Sequence, residues 1–292
     1  RNTLDYNNIM FIVAGEVIHR VSGLTWAEFI EQKIMQPVGM TSSFGSYNRA
    51  KAANVSNIID AHAPVDGKVV AVPHDWNETG NAAGGIISNI KDMNIWAEFL
   101  LNGFTTKEGV KLVSDKQIYQ LWNLQIATPV ALKNPYDSNF SGYGLGWFLT
   151  DVKGHKQVYH TGGLIGTVTQ FTLIPDMKLG IVVLTNQQSG AAFSAITNTI
   201  KDAYLGLEDR DWLKNFSERM AKVNAKYDKE KQDVFAKSEA FKKEKKSQIK
   251  NGDSRLLLSS VVLYISIFHF SSSNQQQFWG FAMMYFSFLL FS

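Results

Sequence analysis

Gln157-Val158-Tyr159-His160-Thr161-Gly162-Gly163, with the runs Thr167 to Ile174 and Lys178 to Leu184 that follow it, decides the fold. The run Gly144 to Leu149 precedes them. The spacing predicts four strands, with Pro175-Asp176 as one of the turns. Connections this short favour an antiparallel meander. In the central motif a titratable His160 is followed by a hydroxyl and two glycines. Glycines at a strand edge let another group approach the backbone closely.

Around these strands the sequence reads as helices. On the C-terminal side, Ala191 to Tyr204 is predicted helical. On the N-terminal side, Ile9 to Val21 is apolar on nearly every side, which predicts a buried helix ended by Ser22-Gly23. His19 on it is expected to have a hydrogen-bonded core role. Thr25 with Glu28 reads as a capping box for a helix over Trp26 to Met35. Residues 41 to 83 hold few periodic runs and read as a long ordered loop region. The histidines within it, His62 and His74, lack metal-ligand spacing. After Gly84-Gly85, Ser88 is the expected cap of a helix through Leu101, and Ser114 of another through Trp122. Tyr143 and Trp147 read as packing residues. Helices, then antiparallel strands, then a helix predict an α/β (α+β) domain with an antiparallel sheet flanked by helices.

A net charge of +3 gives no case for nucleic acid, and the absence of cysteine excludes disulfides and thiolate metal sites. Neither a metal nor a cofactor is called for. Composition divides the chain into residues 1–207, the globular domain; 208–252, a Lys/Glu-rich helical linker; and 253–292, an apolar Ser/Phe-rich tail. In that tail Leu256 to Phe270 and Phe278 to Phe291 are each shorter than the roughly 20 residues of a membrane-spanning helix. They read either as a membrane-associated hairpin or, given the abrupt loss of charge after Asp253, as non-native sequence. Membrane association is expected only if the tail is native.

Tyr6-Asn7-Asn8, Gly23-Leu24-Thr25-Trp26-Ala27-Glu28-Phe29 and Pro37-Val38-Gly39-Met40-Thr41 stand in the same order as a known family's motifs. So do Ala83-Gly84-Gly85-Ile86-Ile87-Ser88 with Asp92, Gly142-Tyr143-Gly144-Leu145-Gly146-Trp147, and His160-Thr161-Gly162-Gly163. Over roughly residues 4 to 207 the chain resembles the serine β-lactamase and penicillin-binding superfamily, in the branch of class C β-lactamases, D-aminopeptidases and esterases. The resemblance implies a β-lactamase/transpeptidase-like fold and acyl-enzyme chemistry on an amide or ester. Such chemistry needs an activated hydroxyl, a base, and donors aimed at the developing oxyanion. It assigns Tyr6 as a proton shuttle, Asn8 as the partner of a substrate amide, and His160, Thr161 and Gly162 as the third motif. The Gly163 N–H becomes an oxyanion donor. To act as a base, the Tyr6 phenol would have to be depressed by neighbouring cations.

Two departures shape the functional expectation. Where many family members carry Lys, this chain has His160, only partly charged near neutrality. That favours a peptidase or esterase over a dedicated β-lactamase. The family's Ser-x-x-Lys nucleophile segment lies N-terminal to the Tyr motif, and Arg1 to Asp5 cannot hold it. Ser88 to Lys91, Thr150 to Lys153 and Ser247 to Lys250 match the pattern in the wrong order. The chain is therefore read as a C-terminal fragment lacking that segment, catalytically dead by itself. The alternative reading is a non-catalytic binding protein that keeps the cleft. A third, a membrane-anchored interaction fragment, rests on the tail alone. The expected partner is a small-molecule or peptide substrate, with periplasmic or extracellular location implied by the resemblance. Oligomeric state is left open by the sequence, although a helix over Ile9 to Val21 short of packing partners predicts low solubility or a dimer.

Overall fold

The structure is a computed structural model and describes residues 3–65, 68–73 and 77–250, with side chains to residue 243. Two compact units divide at Met220/Ala221. In the first, α1 (Asn8–Ser22) is capped by Asn7, whose side chain accepts from the Ile9 N–H at 2.7 Å, and closed by Gly23 at φ 74°. The Thr25/Glu28 capping box forms as expected and starts α2 (Trp26–Ile30). The helix then widens into a π turn (Glu31–Met35) before α3 (Gln36–Val38). Next come α4 (Tyr47–Ala52), the hairpin strands β1 (Ala61–Val65) and β2 (Lys68–Val72), α5 (Asn81–Gly84), α6 (Ile90–Leu101) and α7 (Asp115–Leu121).

A six-stranded antiparallel meander follows. Its strands are β3 (Ile126–Ala127), β4 (Ser141–Tyr143), β5 (Phe148–Val152), β6 (His155–Leu164), β7 (Thr167–Ile174) and β8 (Leu179–Leu184), hydrogen-bonded in sequence order. Then come α8 (Gly190–Tyr204) and the 39-residue α9 (Trp212–Lys250).

The sheet is covered on both faces. Leu149, Val158, Phe171 and Leu173 pack with Met35, Val38, Ala97 and Leu100 from the helices before it. Val152, Ile174, Ile181 and Val183 pack with Ala195 of α8 and Trp212 at the start of α9. Alternation along β7 sends Phe171 and Leu173 into one layer and Ile174 into the other. Each fully buried Leu or Ile there contributes about 1.5–3 kcal/mol. On the α8 side, Lys201 is buried. Its Nζ donates to Gln157 Oε1 at 3.0 Å and lies 3.9 Å from the Tyr136 ring centroid. The neighbouring Asp202 accepts from Trp212 Nε1 at 2.7 Å and has Arg210 Nε at 4.0 Å.

Several expectations are corrected. Helix α1 is not buried. It packs along one narrow stripe, where a Cβ on Gly15 would come within 2.5 Å of Ala82 Cβ, while Ile9, Met10, Val13, Val17 and Val21 are exposed. All-round apolarity gave no indication of which face would find a partner. His19 is accordingly exposed, its Nδ1 2.9 Å from the Leu24 carbonyl oxygen. The region 41 to 83 is not all loop, since β1 pairs with β2 from Ala61↔Val72 to Val65↔Lys68. His62 therefore sits on a strand, its Nδ1 3.0 Å from the Asn186 carbonyl oxygen. His74 and the tail lie outside the described residues. Asn89, not Ser88, caps α6, accepting from the Asp92 N–H at 3.0 Å. Ser88 instead hydrogen-bonds Ser43 at 2.8 Å, and Ser43 donates to the buried Asp92 at 2.7 Å. The Gly144 to Leu149 run is a hairpin turn followed by a strand, because Gly146 at φ 80° reverses the chain and the Gly144 N–H meets the Trp147 carbonyl at 2.7 Å.

Candidate active site

The site is built where β6 outruns one of its neighbours. Its pairing with β5 covers Tyr159↔Phe148 to His155↔Val152 and stops. Its pairing with β7 continues from Val158↔Leu173 to Leu164↔Thr167. Among the described residues no strand pairs with the second edge of His160–Leu164. The tip beyond Leu164 is fixed: the His62 N–H donates to the Gly166 carbonyl at 2.9 Å, and Gly166 takes φ 80°. Within this segment, a Cβ at Gly162 would come within 2.6 Å of Thr169 Oγ1, so any larger residue there would have to displace that hydroxyl. At Gly163 the nearest atom to such a Cβ is Val168 Cγ1 at 3.9 Å, so packing makes no such demand.

Tyr6, in the turn leading into α1, comes to this edge. Its ring centroid lies 5.8 Å from that of His160 and 6.0 Å from that of Tyr143, the latter edge-on at 84°. Tyr143 ends β4, and its hydroxyl lies 3.2 Å from His160 Nε2. The other ring nitrogen, Nδ1, is 2.7 Å from the Thr161 carbonyl oxygen. Phe148 closes the cluster, 4.7 Å from Tyr143 and 5.4 Å from His160 between centroids. The structure thus brings Tyr6 and His160 together across residues far apart in sequence. Asn8 occupies the first turn of α1, exposed, and among the described residues no hydrogen bond joins it to His160 or Tyr143. Tyr143 is the residue that sequence reasoning assigned to packing. Its flanking glycines, Gly142 and Gly144, were the available signal, because a Cβ on either would clash with the backbone of Ile126 or Leu121.

This wall carries no net charge at neutral pH. Burial holds the His160 imidazole below its usual range, opposed by the hydrogen bond to the Thr161 carbonyl. Burial also pushes the Tyr143 phenol up, and the nearby Tyr6 adds to the rise. The Tyr6 phenol is likewise pushed up by burial, the opposite of the depression expected for a base. Its ring neighbours are Phe11, Tyr143 and a neutral His160, none of them a cation. Of the three hydroxyl-x-x-Lys matches, Ser88 belongs to the Asp92 network and Thr150 donates to the Phe140 carbonyl at 2.8 Å. Ser247 lies on α9, beyond the described side chains. Among the described residues, no group of three His, Asp or Glu could hold a metal ion.

The chain is 29% identical over 194 residues to the "Unguisins hydrolase ungD'" of Aspergillus campestris, covering 64% of this chain and 34% of that protein. It is 27% identical over 240 residues to the "Unguisins hydrolase ungD" of Aspergillus violaceofuscus, covering 77% and 42%. The chain thus spans less than half the length of either protein. Among solved structures, the octameric penicillin-binding protein homologue from Pyrococcus abyssi superimposes with a TM-score of 0.59 at 25% identity, over 70% of this chain and 43% of that one. The Beta-lactamase family model matches residues 2–205, well over half of the chain. The chain belongs to the beta-lactamase family, within the serine β-lactamase and penicillin-binding-protein-like superfamily.

Proposed function

We propose that residues 3–220 form one wall of the acyl-transfer cleft of a serine hydrolase that cleaves an amide or ester, peptidase- or esterase-like rather than a dedicated β-lactamase. The observation that carries this reading is the convergence of Tyr6, Tyr143 and His160 on the edge of β6 at His160–Leu164. A substrate laid along that edge meets backbone donors, with the Gly163 N–H directed at the developing oxyanion. Asn8 holds the substrate amide, and Thr161 and Gly162 shape the strand beneath it. Tyr6 moves the proton at the leaving group, once a cation from elsewhere in the site brings its phenol down. The acyl group is carried by a serine outside residues 1–292, because neither Ser88 nor Thr150 stands at the Tyr6–His160 cluster. The two Aspergillus proteins, named as hydrolases, are in keeping with this.

A serine-reactive fluorophosphonate tests the reading. Applied to the natural gene product with its upstream sequence, it labels one serine N-terminal to Tyr6, and Tyr6→Phe slows hydrolysis of amide substrates at least a hundredfold. The isolated 292-residue chain stays unlabelled. Covalent labelling of a serine within residues 1–292 would overturn the assignment. An unreactive gene product that still binds amides would establish the binding-protein alternative instead.

A further inference from the structure

We propose that α9 pairs with the α9 of a second copy of this chain as an antiparallel coiled coil centred between Asp228 and Lys229. The observation is a seven-residue repeat. Met220, Tyr227 and Val234 recur at intervals of seven, and Val223 falls three residues after the first. All four side chains are between 42% and 53% exposed. A helix of 39 residues is over three times the ordinary length in globular proteins, which is about 11–12 residues. A strict seven-residue repeat keeps one seam facing a partner helix through a supercoil, whereas the surface of a globular domain selects a repeat of about 3.6.

With Met220, Tyr227 and Val234 at the a positions, Val223, Glu230 and Lys237 take the d positions. In an antiparallel pair each a residue meets a d residue of the other helix. One register, in which the residue numbers of facing partners sum to a constant, satisfies the whole seam. Val223 meets Val234 of the second copy, Tyr227 meets Glu230, and Met220 meets Lys237, each pair occurring twice by symmetry. The valines form the apolar centre, the Tyr227 hydroxyl can donate to the Glu230 carboxylate, and the Lys237 stem covers Met220.

Flanking charges choose the orientation. In this register Lys226 of each copy faces Asp233 of the other, giving two opposite-charge pairs, and Asn224 faces Lys231. A parallel pair in register would set Lys226 against Lys231 on both sides of the seam, two like-charge contacts. Orientation is therefore specified by repulsion in the parallel arrangement as well as by attraction in the antiparallel one.

The chain contains no cysteine, so introduced thiols report on this contact alone. Val223→Cys, Val234→Cys and the double variant are made in the full 292-residue chain and oxidised mildly. The double variant is expected to form a covalent dimer linked 223 to 234, as is a mixture of the two single variants. Each single variant alone stays unlinked. Within one helix the two positions are about 16 Å apart, too far for an internal disulfide. As a second measurement, Lys226→Asp should weaken dimerisation about tenfold in sedimentation equilibrium, and Lys226→Asp with Asp233→Lys should restore it. Single variants that cross-link to themselves as readily as the double variant would overturn the proposal in favour of a parallel pair. A chain that stays monomeric in sedimentation, with no variant cross-linking, would overturn it altogether.

Discussion

The Tyr143 hydroxyl lies 3.2 Å from Nε2 of His160, while Nδ1 of the same ring lies 2.7 Å from the Thr161 carbonyl oxygen. A carbonyl can only accept, so Nδ1 carries the hydrogen and Nε2 accepts from the phenol. The ring is fixed as one neutral tautomer, with a hydrogen bond on each side. Tyr143→Phe removes the donor to Nε2, a bond that favours the neutral ring. Its pKa should then rise by about half to one unit, the equivalent of a hydrogen bond worth ~1 kcal/mol. An NMR titration of the His160 imidazole in both proteins reads this directly. An unchanged or lowered pKa would show that the phenol does not donate.

Gly162 packs against the Thr169 side chain of β7. Gly162→Ala places a methyl within 2.6 Å of Thr169 Oγ1 and should cost about 1–3 kcal/mol in urea unfolding. Thr169→Ala in the same chain should recover most of that loss. Equal costs with and without Thr169 would place the strain elsewhere.

Glu31 ties the π turn to the loop and helix that follow. Its carboxylate accepts from Arg49 Nε at 2.7 Å, Arg49 Nη2 at 2.6 Å and the Gly45 N–H at 2.8 Å. Burial alone would raise its pKa, but the hydrogen bonds from Arg49 and Gly45 outweigh it and hold the carboxyl below its usual value of 4.5. The stabilisation is therefore present above that value and is lost as pH falls through the lower folded value. Since Arg49 is partly exposed, Glu31→Gln should cost only about 1–2 kcal/mol at pH 7. Chemical denaturation of both proteins at neutral and acidic pH should show the gap close on the acid side.

Lys201 behaves in the opposite sense. Burial pulls its ammonium down to about 8, with Asp202 opposing the shift. The unfolded chain thus holds the proton more tightly, and the folded state is penalised until pH rises through about 8 toward the reference value of 10.5. Against Lys201→Met, which cannot titrate, the wild-type chain should gain about 1.5 kcal/mol between pH 8 and roughly 9.5, at ~1.4 kcal/mol per unit of pH. Parallel stability curves across that window would mean that the ammonium is solvated.

The exposed stripe of α1 predicts self-association. Val13→Glu with Val17→Lys puts an i,i+4 ion pair on the open face and should raise the soluble fraction several-fold. Stability should change by no more than about 0.5 kcal/mol, as at other surface positions. A thermal unfolding curve that drops by several degrees would show that this face is covered in solution.

Where one physical rule acted locally, the sequence was legible. Thr25 with Glu28, Ser114 ahead of its helix, and Gly23 after Ser22 each form a cap from local sequence, and each stands as read, with Gln117 completing a box at Ser114 that the sequence reading did not name. The strand runs from Gln157 onward alternate strongly enough to define the meander. Legibility failed where the outcome depends on distant partners. The Ala61–Val65 strand, with alanines, a histidine and a proline, has weak strand propensity and owes its place to β2 and to the clamp on Gly166. Ser88 and Asn89 are equally good caps in isolation, and the Ser43–Asp92 network settles which is used. Tyr143 could not be told from a packing tyrosine until the turn at Gly146 folded β4 against β5. His160 was found early because its chemistry and its glycines sit in one short motif.

The π turn at Glu31–Met35 acts as a phase shift. One extra residue in a helical turn rotates everything beyond it by about 100° relative to an uninterrupted helix. Trp26, which rests on Gly15 of α1, and Met35 and Val38, which enter the main core, can therefore all face inward from one continuous run. The numbering of this stretch is thus itself under constraint. Deleting a single residue between Glu31 and Met35 would let the run close as an ordinary α-helix with both faces kept inward, whereas adding a further residue would rotate Met35 and Val38 away from the core.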